Sequence, residues 1–259
     1  MAGTAMLVAQ PALVRLDWEC NHFGLCVAQL ASLDLDDAAL AAALRLARQQ
    51  GVQLLVWPAG SGREVPRELL DAFAGALVDR KASFSRPLPP VLANDDSLRA
   101  VQFPIVPYTA TTASAALVEL ALSAGVYSRF RVDPHFPKEK FEAMYRLWIE
   151  RSVNNELADI VLVVPLGDHD GVTDTRLGGM ITLSETGGLA SIGLVAVAAT
   201  SRGAGIGSAL MHAALRWMQG RGAREAQVVT QLANLPACRL YERSGYRLSR
   251  VQHYYHFWL

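Results

Sequence analysis

Residues 199 to 210 read ATSRGAGIGSAL, three glycines and an arginine between an apolar run patterned like a strand and an apolar-periodic run patterned like a helix. Glycines in such a turn let successive backbone amides converge at a helix N-terminus, where unpaired N–H groups and the helix dipole favour an anion. A nucleoside-triphosphate loop would need a lysine and a hydroxyl residue after its last glycine, and no such lysine follows. A dinucleotide fingerprint begun at Gly203 and Gly205 meets Ser208 where its third glycine belongs. Its acid about 20 positions on would be Glu225, at the start of a strand rather than the end of one. What remains is a diphosphate turn formed by Arg202, Gly203, Ala204, Gly205, Ile206, Gly207 and Ser208, with a ligand-free helix cap as the plain alternative. A second candidate is SRFR at 128 to 131, where Arg129 and Arg131 carry guanidinium groups suited to bidentate contact with phosphate, or are solvated loop charges. Cys20, Cys26 and Cys238 form neither a CxxC nor a zinc-ligand spacing with histidine, so no metal site is expected. An odd thiol count fits a reducing, cytoplasmic compartment.

The elements that must position these residues come from composition and periodicity. With 259 residues, 51% of them hydrophobic, the chain can bury a sizeable core in one large domain or two small ones. Lysine plus arginine and aspartate plus glutamate both total 24, so no global field draws the chain to nucleic acid or an anionic membrane. The first residues have no basic segment ahead of an apolar core, and no stretch approaches the ~18 apolar residues of a membrane span, so neither secretion nor membrane insertion is expected. DLDDAALAAALRLARQQG reads as a helix capped by Asp36 or Asp37 and closed by Gly51, followed by a buried strand at 53 to 58. Pro66 opens a second helix with Leu69, Leu70, Phe73 and Leu77 on one face. The proline-rich stretch 86 to 97 reads as a linker, giving an αβ domain over 1–97 and a second domain over 98–259.

The second domain reads as a strand at 100 to 108, a helix near 112 to 124 and a helix opened by Pro137 whose Phe141, Met144, Tyr145, Trp148 and Ile149 form a core stripe. Three strands follow, ADIVLVVPL, GGMITLSE and ASIGLVAVAAT, the last two joined by TGG as an antiparallel meander. After the glycine turn come a helix, the strand REAQVVTQ, a short helix in ANLPACRLYERSG and a long terminal strand or hairpin. No internal repeat is visible. The fold class is α/β, an α+β arrangement on a mixed sheet.

The spacing of Val197, Arg202, Gly205 and Gly207, followed by Asn234, Ala237, Leu240, Tyr241, Gly245 and Tyr246 in an NxxAxxLYxxxGY pattern, resembles the GCN5-related N-acetyltransferase (GNAT) family over 98–259. Ala199 stands where that family commonly has proline. The resemblance implies the acyl-CoA N-acyltransferase fold and acetyl-CoA as co-substrate, with the N-terminal αβ domain a truncated unit of the same kind. It implies that Leu194, Val195, Ala196 and Val197 offer backbone groups to the pantetheine arm beside a β-bulge, and that the glycine turn holds the diphosphate. Asn234 would help hold the arm, and Tyr241 would be the general acid that protonates the departing thiolate. The fourth strand of the domain, unlike that of many relatives, carries no carboxylate to serve as base. Cys238, three residues before Tyr241, could in principle carry a covalent acetyl group. No adjoining histidine or lysine lowers its pKa, so direct transfer in a ternary complex is expected.

A closer resemblance, carried by DWECNHFG at 17 to 24, SRFR and YRLWIE at 145 to 150, is to the members that acetylate dTDP-linked 4-amino-4,6-dideoxyhexoses for surface polysaccharides. It implies a nucleotide-linked amino sugar as acceptor, with Arg129, Arg131 and His135 at the acceptor site. His253 and His256 are equally eligible proton carriers by type. Trp18, His22 and Phe23 could stack on a base but are better suited to packing. No nucleic acid or membrane partner is expected, and the assembly is left open, with a homodimer as one option. The competing classes are acetylation of another amine, a protein N-terminus or a polyamine, and a non-catalytic sensor of acetyl-CoA.

Overall fold

In a computed structural model that describes residues 12–89, 103–167 and 176–259, strands and helices follow from where the sequence places its apolar residues. The chain separates into unit 1, residues 1–81 with 251–259, and unit 2, residues 82–250. The division falls within two long strands, β4 (Gly75–Pro87) and β10 (Arg247–Trp258), instead of at the expected 97/98 linker. The linker residues 90–97 lie outside the described residues.

Unit 1 contains β1 (Leu13–Arg15), α1 (Asp17–Phe23), β2 (Val27–Leu30), α2 (Asp37–Gln49), β3 (Leu54–Ala59) and α3 (Arg67–Ala72). β2 and β3 are parallel, and the end of β10 pairs antiparallel with β3, His253 opposite Ala59. α2 forms as its sequence dictates. The Asp36 side chain caps the Ala39 N–H at 2.7 Å, Leu40, Ala43, Leu44 and Ala47 are buried, and Gly51 takes the left-handed φ of +75° just past the end. Every residue of β3 is buried, which explains its unbroken apolar run.

α3 is shorter than expected. It ends at Ala72, Ala74 turns at φ +43°, and Leu77 belongs to β4, although Phe73 and Leu77 still join the same core as Leu69 and Leu70. Periodicity found the buried positions there but not the backbone, because a strand's inward residues can also fall at helical spacing.

Unit 2 contains β5 (Val106–Pro107), α4 (Ala115–Ala124), α5 (Arg129–Val132), α6 (Lys138–Val153), β6 (Ile160–Leu166), β7 (Arg176–Thr186) and β8 (Leu189–Val197). The glycine turn then leads into α7 (Ile206–Gly220), β9 (Glu225–Gln231) and α8 (Leu235–Arg243). Its strands run in the order β4-β9-β8-β7-β6-β5, with β5 to β8 antiparallel and β8 parallel to β9. Alternation along the strands sorts two cores. Leu162, Val164, Ile181 and Leu183 face α7 and α8, while Val161, Val163, Leu177 and Met180 face α4 and α6. The expected strand at 100–108 shrinks to β5, since Pro104 and Pro107 have no N–H to donate to a ladder; residues 100–102 lie outside the described ones.

β2-α2-β3-α3-β4 and β8-α7-β9-α8-β10 repeat one order of elements, each opening on a parallel strand pair. That repeat has no counterpart in the sequence pattern. No helix among the described residues is long and apolar enough to cross a membrane.

Candidate active site

β8 changes its partner pattern halfway along. Against β7, Leu183 faces Ile192 and Ile181 faces Val195, so Gly193 and Leu194 together oppose Thr182 in a β-bulge. Against β9, pairing runs from Leu189 with Glu225 to Ile192 with Val228 and stops. From Gly193 to Val197 one edge of β8 therefore faces no β9 partner, while Val195, Ala196 and Val197 remain paired with β7. Ala196 is buried and Leu194, Val195 and Val197 are half-buried, so what this edge offers is mainly backbone.

The edge runs through a short 3₁₀ turn, Ala199–Ser201, into the glycine turn. Gly203 and Gly205 take φ of +80° and +91°, values that only glycine adopts without strain, and Gly205 stands at the N-terminal boundary of α7. Arg202, Gly203, Ala204, Gly205 and Ser208 are exposed. No side chain caps α7. Its first intrahelical bond is Ala209 N–H to Gly205 C=O at 3.0 Å, which leaves the amides of Ile206, Gly207 and Ser208 as the helix's orphan donors. Ile206 is buried beneath the turn, and a Cβ on Gly207 would meet only Leu240 at 3.5 Å and Val197 at 3.7 Å. Gly207 thus brings α7 close to β8 and α8, whereas Gly203 and Gly205 shape the turn. The matching position of unit 1 is different: there the carboxylate of Asp36 occupies the start of α2, with Asp37 in its first turn.

α8 supplies the other candidates. Asn234 starts it, accepting from Ala237 N–H at 3.3 Å and donating to Thr230 Oγ1 at 3.3 Å, so its side chain serves the helix as well as any ligand. Tyr241 is 2% exposed, with its ring 5.7 Å from Phe84 and 6.2 Å from Tyr246. Burial, followed by neighbouring Cys238 and Tyr246, pushes its hydroxyl well above the ordinary tyrosine range, so it keeps its proton throughout neutral pH. Cys238 is pushed up too, by burial and then by Glu242, and its Sγ lies 3.7 Å from the Gln231 carbonyl. A buried thiol held in its protonated form is a poor nucleophile.

Arg129, Arg131 and His135 occupy a separate stretch, α5 and the turn after it. Arg129 is half-buried with its guanidinium over the Phe130 ring at 4.4 Å, and Arg131 is exposed. Asp133, which the sequence reading passed over, is 3% exposed and accepts both the His135 N–H at 3.0 Å and the His135 ring through Nδ1 at 2.9 Å. The stretch follows α4, whose Leu122 and Ala124 pack against the same core as Leu194 and Ala198 of the β8 region. His253 and His256 lie in unit 1, the first against the Arg63 carbonyl at 3.2 Å and the second fully buried on β10. Trp18 and His22 stack on each other at 4.9 Å within unit 1, and Phe23 is buried, as packing requires. Thr182, opposite the bulge, also escaped the sequence reading. Its place depends on strand register, and Asp133 lay in a loop read only for its cations.

Comparison with known proteins places this geometry. The model of the acetyltransferase (GNAT) family matches residues 123–246, from the end of α4 to the glycine-tyrosine pair after α8. The chain is 33% identical over 131 residues to the dTDP-fucosamine acetyltransferase of Escherichia coli O6:H1, covering 50% of this chain and 53% of that protein, so it spans about half of that relative's length. It is 30% identical over 235 residues to the mycothiol acetyltransferase of Clavibacter sepedonicus, covering 83% of this chain and 76% of that protein. A crystal structure of a functionally unknown protein from Staphylococcus epidermidis superposes with a TM-score of 0.64 at 12% identity, over 99% of this chain and 94% of that one, and so shares the fold. The strand with its open edge, the uncapped helix, the family match that contains them and the acetyltransferase relative covered to 76% of its length agree: the chain belongs to the acetyltransferase (GNAT) family.

Proposed function

We propose that this protein transfers an acetyl group from acetyl-CoA to the 4-amino group of a nucleotide-linked amino-dideoxy sugar, a dTDP-4-amino-4,6-dideoxyhexose, for surface polysaccharide synthesis. The observation that carries the transferase reading is the edge of β8 left open by β9, continuous with the uncapped N-terminus of α7. Backbone amides and carbonyls of Leu194 to Val197 suit an extended amide-bearing arm laid along them as an added strand. The amides of Ile206, Gly207 and Ser208, with Arg202 nearby, suit the diphosphate at its far end.

Tyr241 then acts as the acid. As the amine bonds to the acyl carbon and the carbon–sulfur bond breaks, its hydroxyl gives its proton to the leaving sulfur, so that a free thiol departs, while water takes the proton that the amine nitrogen sheds and returns one to the tyrosine oxygen. A thiol has a pKa of about 8.5 and a phenol about 10, and the buried setting of Tyr241 keeps it protonated until that moment. Cys238 stays out of the chemistry.

The acceptor reading rests on the name of the E. coli relative and on the two arginines of the α5 stretch, suited to a sugar nucleotide's diphosphate. The Clavibacter relative, whose match extends across both units, favours a second acceptor class, that of mycothiol acetyltransferases. Thiol release from acetyl-CoA, measured against amino-sugar nucleotides, mycothiol precursors, peptides and polyamines, decides between them. Turnover with a dTDP-4-amino sugar at a kcat/KM at least ~100-fold above the rest supports the proposal, and preference for any other amine refutes its acceptor.

A further inference from the structure

We infer that Thr182 is a positioning residue, which holds the β8 bulge and thereby keeps the edge of β8 clear of β9. This rests on the reading of that edge as the seat of the acyl-CoA arm.

The bulge shifts which residues face which core. Before it, Ala190 and Ile192 pack under α7 and α8; after it, Val195 and Val197 take that side, while Leu194, Ala196 and Ala198 pack under α4. Strict alternation from Ile192 would have turned Leu194 and Ala196 toward α7 instead. One extra residue therefore sets the facing of the whole open edge, and losing the bulge would reverse it. Pairing with β9 ends at Ile192, immediately before the extra residue.

A bulge takes a backbone amide out of regular pairing, and a buried amide needs a partner. Thr182, itself 2% exposed, supplies one: its Oγ1 accepts Leu194 N–H at 2.8 Å. The same oxygen would lie 2.8 Å from a Cβ on Gly193, closer than real Cβ contacts, so the hydroxyl in this place calls for a bare glycine opposite it. Neither residue reaches out as a ligand would; they act through the backbone they fix.

The test combines amide exchange with binding. Thr182→Val keeps the volume and removes the acceptor, and Thr182→Ser restores it. In Thr182→Val the Leu194 amide should exchange at least about tenfold faster, and acetyl-CoA should bind at least about tenfold more weakly, with kcat at saturation falling less than kcat/KM. Thr182→Ser should return exchange and affinity to within about threefold of wild type. Gly193→Ala should weaken binding in the native background and cost less on top of Thr182→Ala, where the oxygen it strikes is gone. Unchanged Leu194 exchange in folded Thr182→Val overturns the inference, as does faster exchange with unchanged affinity. Failure of the wild-type chain to bind acetyl-CoA refutes the underlying reading and the inference with it, and that outcome is separately visible.

Discussion

Tyr241 is buried, and burial keeps its hydroxyl protonated at neutral pH by penalising the phenolate. In the proposed transfer it is therefore a ready proton donor whose proton must be replaced as it leaves. Tyr241→Phe keeps the ring against Phe84 and Tyr246, so kcat should fall by about 10²-fold or more while acetyl-CoA affinity holds, as steady-state kinetics and calorimetry together would show. Cys238→Ala should stay active to within about threefold, since direct transfer needs no thiol; a dead but folded variant would require an acetyl-cysteine. The tyrosines also bear on stability at high pH. Tyr246 is pushed up to about 12 by burial and Tyr241 is raised as well, whereas an unfolded tyrosine ionises near ~10. Below that pH their contribution is fully present; above it the unfolded chain releases protons that the folded one retains, so stability falls as pH rises toward 12. Denaturant titrations between neutral pH and pH 11 should show this loss reduced in Tyr246→Phe. Tyr241 was legible from its spacing to Asn234 and Gly245, within one local stretch. Thr182 and Asp133 were not, because a register across two strands and a carboxylate folded back on a nearby histidine leave no local pattern.

The glycine turn and α7 show how much an element's ends decide. α2 and α7 occupy matching places in the repeated order, yet one starts on its own carboxylate and the other on bare amides. Gly205 lies in open space, its nearest neighbour on adding a Cβ being Phe103 at 4.0 Å, so only its φ of +91° and whatever approaches from outside restrict it. Asparagine tolerates the left-handed region, so Gly205→Asn should cost about 1 kcal/mol of stability yet weaken acetyl-CoA binding at least tenfold, about 1.4 kcal/mol, by calorimetry. On α5, Arg131→Ala should raise the acceptor KM about tenfold or more through loss of a charge-assisted contact worth ~1.5–3 kcal/mol, leaving the KM for acetyl-CoA unchanged. α7, α8 and the meander were readable because the glycines, the Asn234 cap of α8 and the apolar periodicity agree there. α3 and β4 were not, because Ala74, whose side chain gives no warning of a positive φ, ends the helix where apolar spacing would have continued it.

At the level of the whole molecule, the repeated order of elements provides two matching corners, β2 to α2 and β8 to α7, and the one in unit 2 has no side chain capping its helix. Asp36 caps α2 and Asp37 adds a second negative charge in its first turn, in an ion pair with Arg63, so a diphosphate approaching that corner would meet carboxylates where α7 offers N–H groups. Local patterning carried no sign of the repeat, which only the family resemblance implied, because topology is written in strand pairing rather than in local pattern. The proposed function expects one cofactor per chain, at the unit 2 corner, and calorimetric titration of acetyl-CoA into the wild-type protein and Gly205→Asn tests this most directly. The account predicts one site per chain in the wild type, weakened at least tenfold in the folded variant. No binding to the wild type, two equal sites, or undiminished affinity in folded Gly205→Asn would contradict it.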